Sequence, residues 1–432
     1  MHGREADRRP RARLGASPAL STTGPDGSGS LTRSAREQTA FGWFLFVYFL
    51  VSFSQGVYPP LLSELMSALG LSFAAAGLLG SAFGVARLAL DLPAGLLIER
   101  IGATGLTHAG IGLILAGTVL TATASSLPAL LLARGLTGLG SGMSMVVALV
   151  YLMRAGPPER RTQRGNMLES ALIAGNAVSA YLAGAVSVRA GWRWGFGLAA
   201  VAIGAGWLAA LRILPVLEGG GREPAVVTPG PLRAAGPVPS PVTLLAIYLA
   251  AFALAFGWSG GIATLAPLYG GRALGLSPAV IGQTLTIAYA IEVAILVPVG
   301  WAADTLGRLR ILLPGFGLIL AGTVLLPLTR SVPGYTLACT LVIVGMTVWM
   351  IPPALLAERL SGRFGGRVVG LYRFTADLAI VVAPALVGWL IERGGFGVAA
   401  SAVAVVTALS AGIVAVVLAR PRYARWWRTR RH

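Results

Sequence analysis

Six ionisable side chains stand inside stretches that are otherwise apolar: Arg87, Asp91, Arg134, Glu292, Arg373 and Asp377. A charge within hydrocarbon is costly, so each of these needs a partner or a function. Arg87 and Asp91 are four apart and share one helix face, and Arg373 and Asp377 repeat that spacing. Arg87 and Glu292 lie 205 positions apart, a separation that recurs below. Two chemistries fit. The pairs could be ion bridges between packed helices. Alternatively Glu292 or Asp377 takes up and releases a proton, because burial and a neighbouring arginine move the proton affinity of a carboxyl group in opposite directions. Glu169 and Glu64 stand near helix ends and read as mouth residues. No phosphate-binding glycine loop or catalytic triad is visible, so the chain reads as neither an enzyme nor a nucleotide-driven pump. The three histidines (His2, His108, His432) are scattered and Cys339 is alone, so no metal, disulfide framework or cofactor is expected.

The elements that hold these side chains are long and apolar. The 432 residues are 55% hydrophobic and only 12% charged, about half the charged share of a soluble domain. Apolar runs of the ~20 residues needed to cross a bilayer recur along the chain. Twelve helices are predicted, at 41–64, 72–96, 103–124, 127–152, 165–188, 192–214, 242–269, 278–302, 309–329, 333–357, 367–391 and 395–419. The fold class is therefore all-α integral membrane, with twelve crossings in two related six-helix bundles. All 34 basic residues are arginine. Of these, 26 fall on the side that carries both termini, five on the other side and three inside the spans. That asymmetry places both termini in the cytoplasm and the protein in the inner (plasma) membrane. It also accounts for the net charge of +18 without nucleic acid as a partner.

Five segments follow. Residues 1–40 form a basic tail without expected order, and no removable signal peptide precedes the first apolar run. Residues 41–214 and 242–419 are the two bundles. Residues 215–241, with seven prolines and five glycines in 27 positions, form a cytoplasmic linker. Residues 420–432 are a second basic tail, whose Trp426-Trp427 suits a lipid interface. The bundles share a repeat. Gly95, Glu99 and Gly102 have counterparts in Gly300, Asp304 and Gly307, each 205 positions on, with Arg100 and Arg308 beside them. Parallel repeats of this kind mark one class of secondary transporter.

These residues resemble the major facilitator superfamily over about 41–420. Its loop signature, Gly-x-Leu-x-Asp-Arg-x-Gly followed by basic residues, is matched by Gly95, Leu97, Glu99, Arg100 and Gly102, although Ala103-Thr104-Gly105 then replaces the basic residues. Helix 4 is similar to the family's arginine helix, from Leu130 through Arg134, Thr137, Gly138 and Ser141 to Gly142. The helix 5 signature of drug/proton antiporters is degraded to Gly175-x3-Ser179-Ala180-x2-Ala183-Gly184. The resemblance implies a cytoplasmic gate in which Glu99 meets the start of helix 11 near Gly370 and Asp304 the start of helix 5 near Gly165. It also implies a cavity lined by helices 1, 4, 7 and 10, where this chain offers Gln55, Tyr58, Thr137, Ser141, Trp258, Thr264 and Trp349. An aromatic, sparsely polar set with one cation suits a small amphipathic or weakly anionic substrate.

Three functions remain open. The first is proton-coupled efflux of a small amphipathic molecule by rocking of the two bundles about a midplane site. The second is proton symport that takes up a metabolite or organic anion, which the eroded helix 5 signature favours. The third is a receptor or scaffold that transports nothing; intramembrane charges argue against it. The expected partners are a small-molecule substrate, protons and membrane lipids, and the expected state is a monomer.

Overall fold

In hydrocarbon every backbone N–H and C=O must be satisfied within the protein, which leaves helix as the open choice for each apolar run. The computed structural model of the protein describes residues 27–91, 94–154, 161–218, 240–359 and 365–418, and these hold helices and no strand. Eleven continuous helical stretches are long and apolar enough to cross a membrane. They are α1 (Gln38–Ala68), α2 (Phe73–Leu90), α3 (Leu97–Thr123), α4 (Leu127–Leu152), α5 (Gln163–Ala190), α6 (Trp192–Arg212), α7 (Pro241–Ala273), α8 (Pro278–Leu306), α9 (Arg308–Leu328), α10 (Val332–Ala357) and Gly370–Leu418. The last holds two crossings, because Gly395 takes φ 81° and ψ 178° and breaks the helix; α11 is 370–394 and α12 is 396–418. Twelve crossings return both ends to one side, here named the terminal face.

Predicted boundaries agree with these within a few residues, with one departure. The first helix begins at Gly27, so residues 27–40 are helical and not the unstructured tail expected. Helix also continues to Glu218, a few residues into the expected linker. Residues 1–26, most of the linker and the 420–432 tail lie outside the described residues.

The repeat is visible in the backbone. Gly102 has φ 70° and Gly307 has φ 106°, so both copies turn through a conformation that side chains with a Cβ rarely adopt. A Cβ on the neighbouring Gly300 would meet nothing within 4 Å, so that glycine is not there for a close approach.

Two seams join the bundles. α2 crosses α11, where Gly77 lies against the Pro384 backbone and Gly84 against the Ile380–Val381 peptide. α5 crosses α8, where Gly184 lies against Pro278 and Gly282 against Ala180. Glycine lets two backbones approach this closely, which is where dispersion attraction comes from when no water is there to be expelled.

Three helices depart from regular α geometry near mid-membrane. α1 is interrupted at Ser52 and Val57, α7 widens into a π-helix over Gly257–Leu265, and α10 tightens to a 3-10 turn over Met346–Val348. Local breaks of this kind often sit at functional sites.

A Cβ added to Gly84 would stand 2.7 Å from both Ile380 C and Val381 N. Gly84→Ala should therefore cost about 1–3 kcal/mol and lower the melting temperature in detergent. Gly300→Ala, in open space within a helix, should leave it unchanged or raise it slightly.

Candidate functional site

Two of these breaks, in α1 and α7, deliver side chains to one space between the bundles. After the Ser52 and Val57 interruptions, α1 presents Gln55, Tyr58 and Pro59. The π-helix of α7 presents Trp258 with Ala263 and Ser259 with Thr264, both pairs five apart. In a regular α-helix, residues five apart would diverge by about 140° around the axis; the i→i+5 geometry brings them to one face. Thr264 Oγ1 donates to Ser259 O at 2.8 Å, tying the same spacing. Asn176 of α5, Tyr289 of α8 and Phe83 of α2 complete the polar and aromatic wall, while Ile380 and Pro384 of α11 give an apolar one. The cavity is partly open, and its empty space, counted with the solvent at its mouth, is about 520 Å³.

Arg134 is the cavity's cation. It is 8% exposed, and its guanidinium lies 4.1 Å from the Tyr58 ring centroid and 4.8 Å from that of Phe83. Its Nε donates to Leu79 O at 3.3 Å. Aromatic faces offset part of the lost hydration of a guanidinium without neutralising it. Among the described residues Arg134 makes no ion pair.

Four more charges form a belt one to two turns nearer the terminal face. Arg87 Nε meets Asp377 Oδ1 at 3.1 Å and Oδ2 at 3.2 Å, across the α2–α11 seam. Glu169 is half-buried, within electrostatic reach of Arg87 and of Glu292. Glu292 is 6% exposed and lies within electrostatic reach of Tyr289, which lines the cavity with Trp258. The belt thus runs Asp377, Arg87, Glu169, Glu292 and reaches the cavity wall at Tyr289. Asp377 pairs with Arg87 of the other bundle. Glu169, expected at a mouth, belongs to the belt; its helix packs along α8 at the seam, and its carboxylate lies within electrostatic reach of Arg87 of α2. Glu64 does not line a mouth: its carboxylate accepts from Ser187 Oγ and, at 3.2 Å, from Trp192 N at the start of α6, where negative charge is favoured. The side chain of Asp91 lies outside the described residues.

Three expected cavity residues lie elsewhere. Thr137 turns its hydroxyl to Arg134 O (2.9 Å) and Ala133 O within α4. Ser141 stands behind the lining and meets Gln55 Nε2 at 3.4 Å. Trp349 packs among partly buried apolar side chains. The 3-10 turn just before it, at about 120° per residue over three residues, swings the following side chains by roughly 60°. The lining therefore comes from α1, α2, α4, α5, α7, α8 and α11, and α10 contributes nothing. Asn176 and Tyr289 escaped notice because polar groups on packing helices carry no periodic signal.

The two faces differ. Among the described residues, every hydrogen bond between the bundles lies at the Arg87–Asp377 level or nearer the opposite face. Ser81 Oγ donates to Val381 O (2.5 Å) and accepts from Ala385 N (3.1 Å). Glu392 Oε2 accepts from Ala74 N at 2.9 Å, capping the start of α2 from the other bundle. Arg272 Nη1 donates to Ser67 Oγ at 2.6 Å, and Phe396 stacks edge-on with Phe73 and Tyr269. At the terminal face Glu99 and Arg100 are exposed. Asp304 is 67% exposed with Arg308 3.6 Å away on the next turn, so neither gate carboxylate sits in the buried helix-start contact expected of it. Gly165 and Gly370 have open space around them. The contacts above join the bundles toward the opposite face, while both gate carboxylates at the terminal face are exposed.

Breaking a buried ion pair from one side leaves an uncompensated charge, at about 3–5 kcal/mol, whereas replacing both partners with apolar groups is often neutral. Arg87→Met and Asp377→Leu should each lower the melting temperature markedly. The double variant should recover most of the loss; equal, additive losses would show that the two side chains do not act as a pair.

The Major Facilitator Superfamily profile matches residues 44–357 and 247–431. No curated protein matches the sequence. Among solved structures, a POT family transporter in complex with 5-aminolevulinic acid superposes with a TM-score of 0.72 at 14% identity, covering 88% of this chain and 95% of that one. A peptide transporter POT in complex with sulfate superposes at 0.68 and 17% identity, covering 89% and 95%. A POT family transporter in complex with a thioalcohol conjugated peptide superposes at 0.69 and 15% identity, covering 88% and 95%. At these identities the likeness is one of fold. The profile spans both bundles and the fold carries its twelve crossings, so this multi-pass membrane protein belongs to the Major Facilitator Superfamily, a family of transporters and not of enzymes.

Proposed function

We propose that the protein is a proton-coupled symporter that takes up a small organic metabolite by alternating access, in place of the efflux that the sequence placed first. The observation that carries this reading is the division of labour between cavity and belt. The cavity wall holds Arg134 and no acidic side chain, while Glu292 and Glu169 stand apart, toward the terminal face. An exchanger of cationic drugs would gain from a carboxylate that proton and drug occupy in turn. Here substrate and proton have separate seats and can be bound together. The fold neighbours in complex with 5-aminolevulinic acid and with a peptide derivative agree with a metabolite-sized substrate.

The arginine asymmetry orients the terminal face to the cytoplasm of the plasma membrane. The geometry is then an inward-facing state: Glu392, Arg272 and the Ser81 contacts close the outside, and the Glu99 and Asp304 gates wait to close the inside. In the outward-facing state those carboxylates would reach the starts of α11 and α5. Protons would pass from Glu292 through Glu169 to the cytoplasm, with Asp377 serving the Arg87 bridge. The bundles correspond to 41–214 and 242–419, and nothing in the cycle calls for a second copy of the chain.

Glutamine mimics a permanently protonated glutamate. Glu292→Gln and Glu169→Gln in proteoliposomes should lower proton-driven accumulation about 100-fold or more, and leave counterflow, which needs no net proton movement, within a few-fold of the parent. Full accumulation by both variants would remove them from the proton path. Asp377→Asn should weaken both activities together.

A further inference from the structure

Arg134 has more to bind than the protein gives it. Its Nε is taken by Leu79 O at 3.3 Å, and rings lie beside its plane at 4.1 and 4.8 Å. The two terminal nitrogens are left without a hydrogen bond among the described residues, on a side chain that lines the cavity. Rings cushion a cation and cancel none of its charge, so the cavity holds an uncompensated positive charge. Beside it, Tyr58 is 4% exposed and its hydroxyl has no partner. On α5, Asn176 Oδ1 is likewise buried and unpartnered on the same wall. Buried polar atoms without partners are rare in folded proteins, and two in one cavity next to an unpaired guanidinium point to a ligand.

We infer that the cavity is built for small organic anions of amphipathic shape: an anionic group forked on Arg134 and met by the Tyr58 hydroxyl, a hydrogen-bond donor on Asn176 Oδ1, and an apolar body against Trp258, Ile380 and Pro384. This rests on the transport reading above and narrows its substrate. The fork of a guanidinium matches the two oxygens of a carboxylate, which adds direction to the charge attraction. An organic cation meets an unshielded like charge with no acid on the wall to offset it. A neutral polyol meets too few polar groups. Charge balance follows: one monoanion carried with one proton on the belt moves no net charge across the membrane.

Three probes of matched shape separate these cases on the full-length protein in detergent: N-acetyl-L-phenylalanine (anionic), N-acetyl-L-phenylalaninamide (neutral) and L-phenylalaninamide (cationic). The anion should bind at least about tenfold more tightly than the neutral amide, with no saturable binding of the cation, read by thermal shift and by quenching of tryptophan fluorescence. Arg134→Gln should lose that preference, and Arg134→Lys should keep part of it. Equal or tighter binding of the neutral or cationic probe, anion binding undiminished in Arg134→Gln, or no binding of any probe at millimolar concentration would each overturn the inference. The probe comparison uses the parent protein, so it stands even where a variant fails to fold. Proteoliposomes separate the inference from its premise. Proton uptake driven by the neutral or cationic probe and not by the anion leaves transport standing and sinks the anion class. No flux or counterflow with any probe sinks the transport reading. Anion uptake that changes with an imposed membrane potential would refute the one-to-one balance.

Discussion

A charge placed inside a membrane has to be given something in exchange for its lost water, and the ways in which this protein does so set most of its architecture. Arg87 receives Asp377 from the other bundle. Arg134 receives two aromatic faces and a backbone carbonyl. Glu292 and Glu169 lie within electrostatic reach of one another, and Arg87 within reach of Glu169. Each solution has a different consequence. An ion pair across a seam fixes two bodies together. A ring-cushioned guanidinium stays charged and available. One polar core between the bundles thus contains a seam contact, Arg87 with Asp377, and a cavity-lining cation, Arg134.

The seams make those solutions compatible with motion. Where α2 crosses α11 and α5 crosses α8, glycine and alanine bring backbones into contact with little interdigitation of long side chains. Surfaces of that kind can tilt against one another without dragging side chains through a packed core. Hydrogen bonds that hold the seams, such as Ser81 with Val381 and Ala385 or Glu392 with Ala74 N, gather away from the terminal face. The three just named are made by a short side chain or a helix end.

The repeat also shapes the terminal face. Gly102 and Gly307 share a left-handed turn and place Glu99 and Asp304 at equivalent corners of the two bundles. Both carboxylates face solvent in the present state, and both stand one turn ahead of the glycine that reverses the chain. The equivalence of Arg87 with Glu292 is of a different sort. The same repeat position carries opposite charges, one on a seam helix of each bundle, so the symmetry of the backbone is broken by the chemistry it carries.

Much of the fold was legible in the order of residues, because crossing a bilayer demands long apolar runs and punishes charge, and both leave plain traces. The twelve crossings, their boundaries and the paired glycine turns were all visible in this way. The cost of a buried charge likewise marked Arg87, Arg134, Glu292 and Asp377 before any contact was known. The partners were not legible. The four-residue spacing of Arg373 and Asp377 pointed along one helix, yet Asp377 bonds Arg87 from another, since distance across a seam leaves no mark in sequence separation. The cavity lining was legible only in part. Gln55, Tyr58, Trp258 and Thr264 face it, while Thr137, Ser141 and Trp349 do not. Which way a side chain points depends on local helix pitch, and a π turn at Gly257–Leu265 or a 3-10 turn at Met346–Val348 rotates everything after it. Those turns are set by packing against neighbouring helices. Sequence alone therefore settled which residues lie in the membrane and at what depth; only the tertiary structure decided which of them meet.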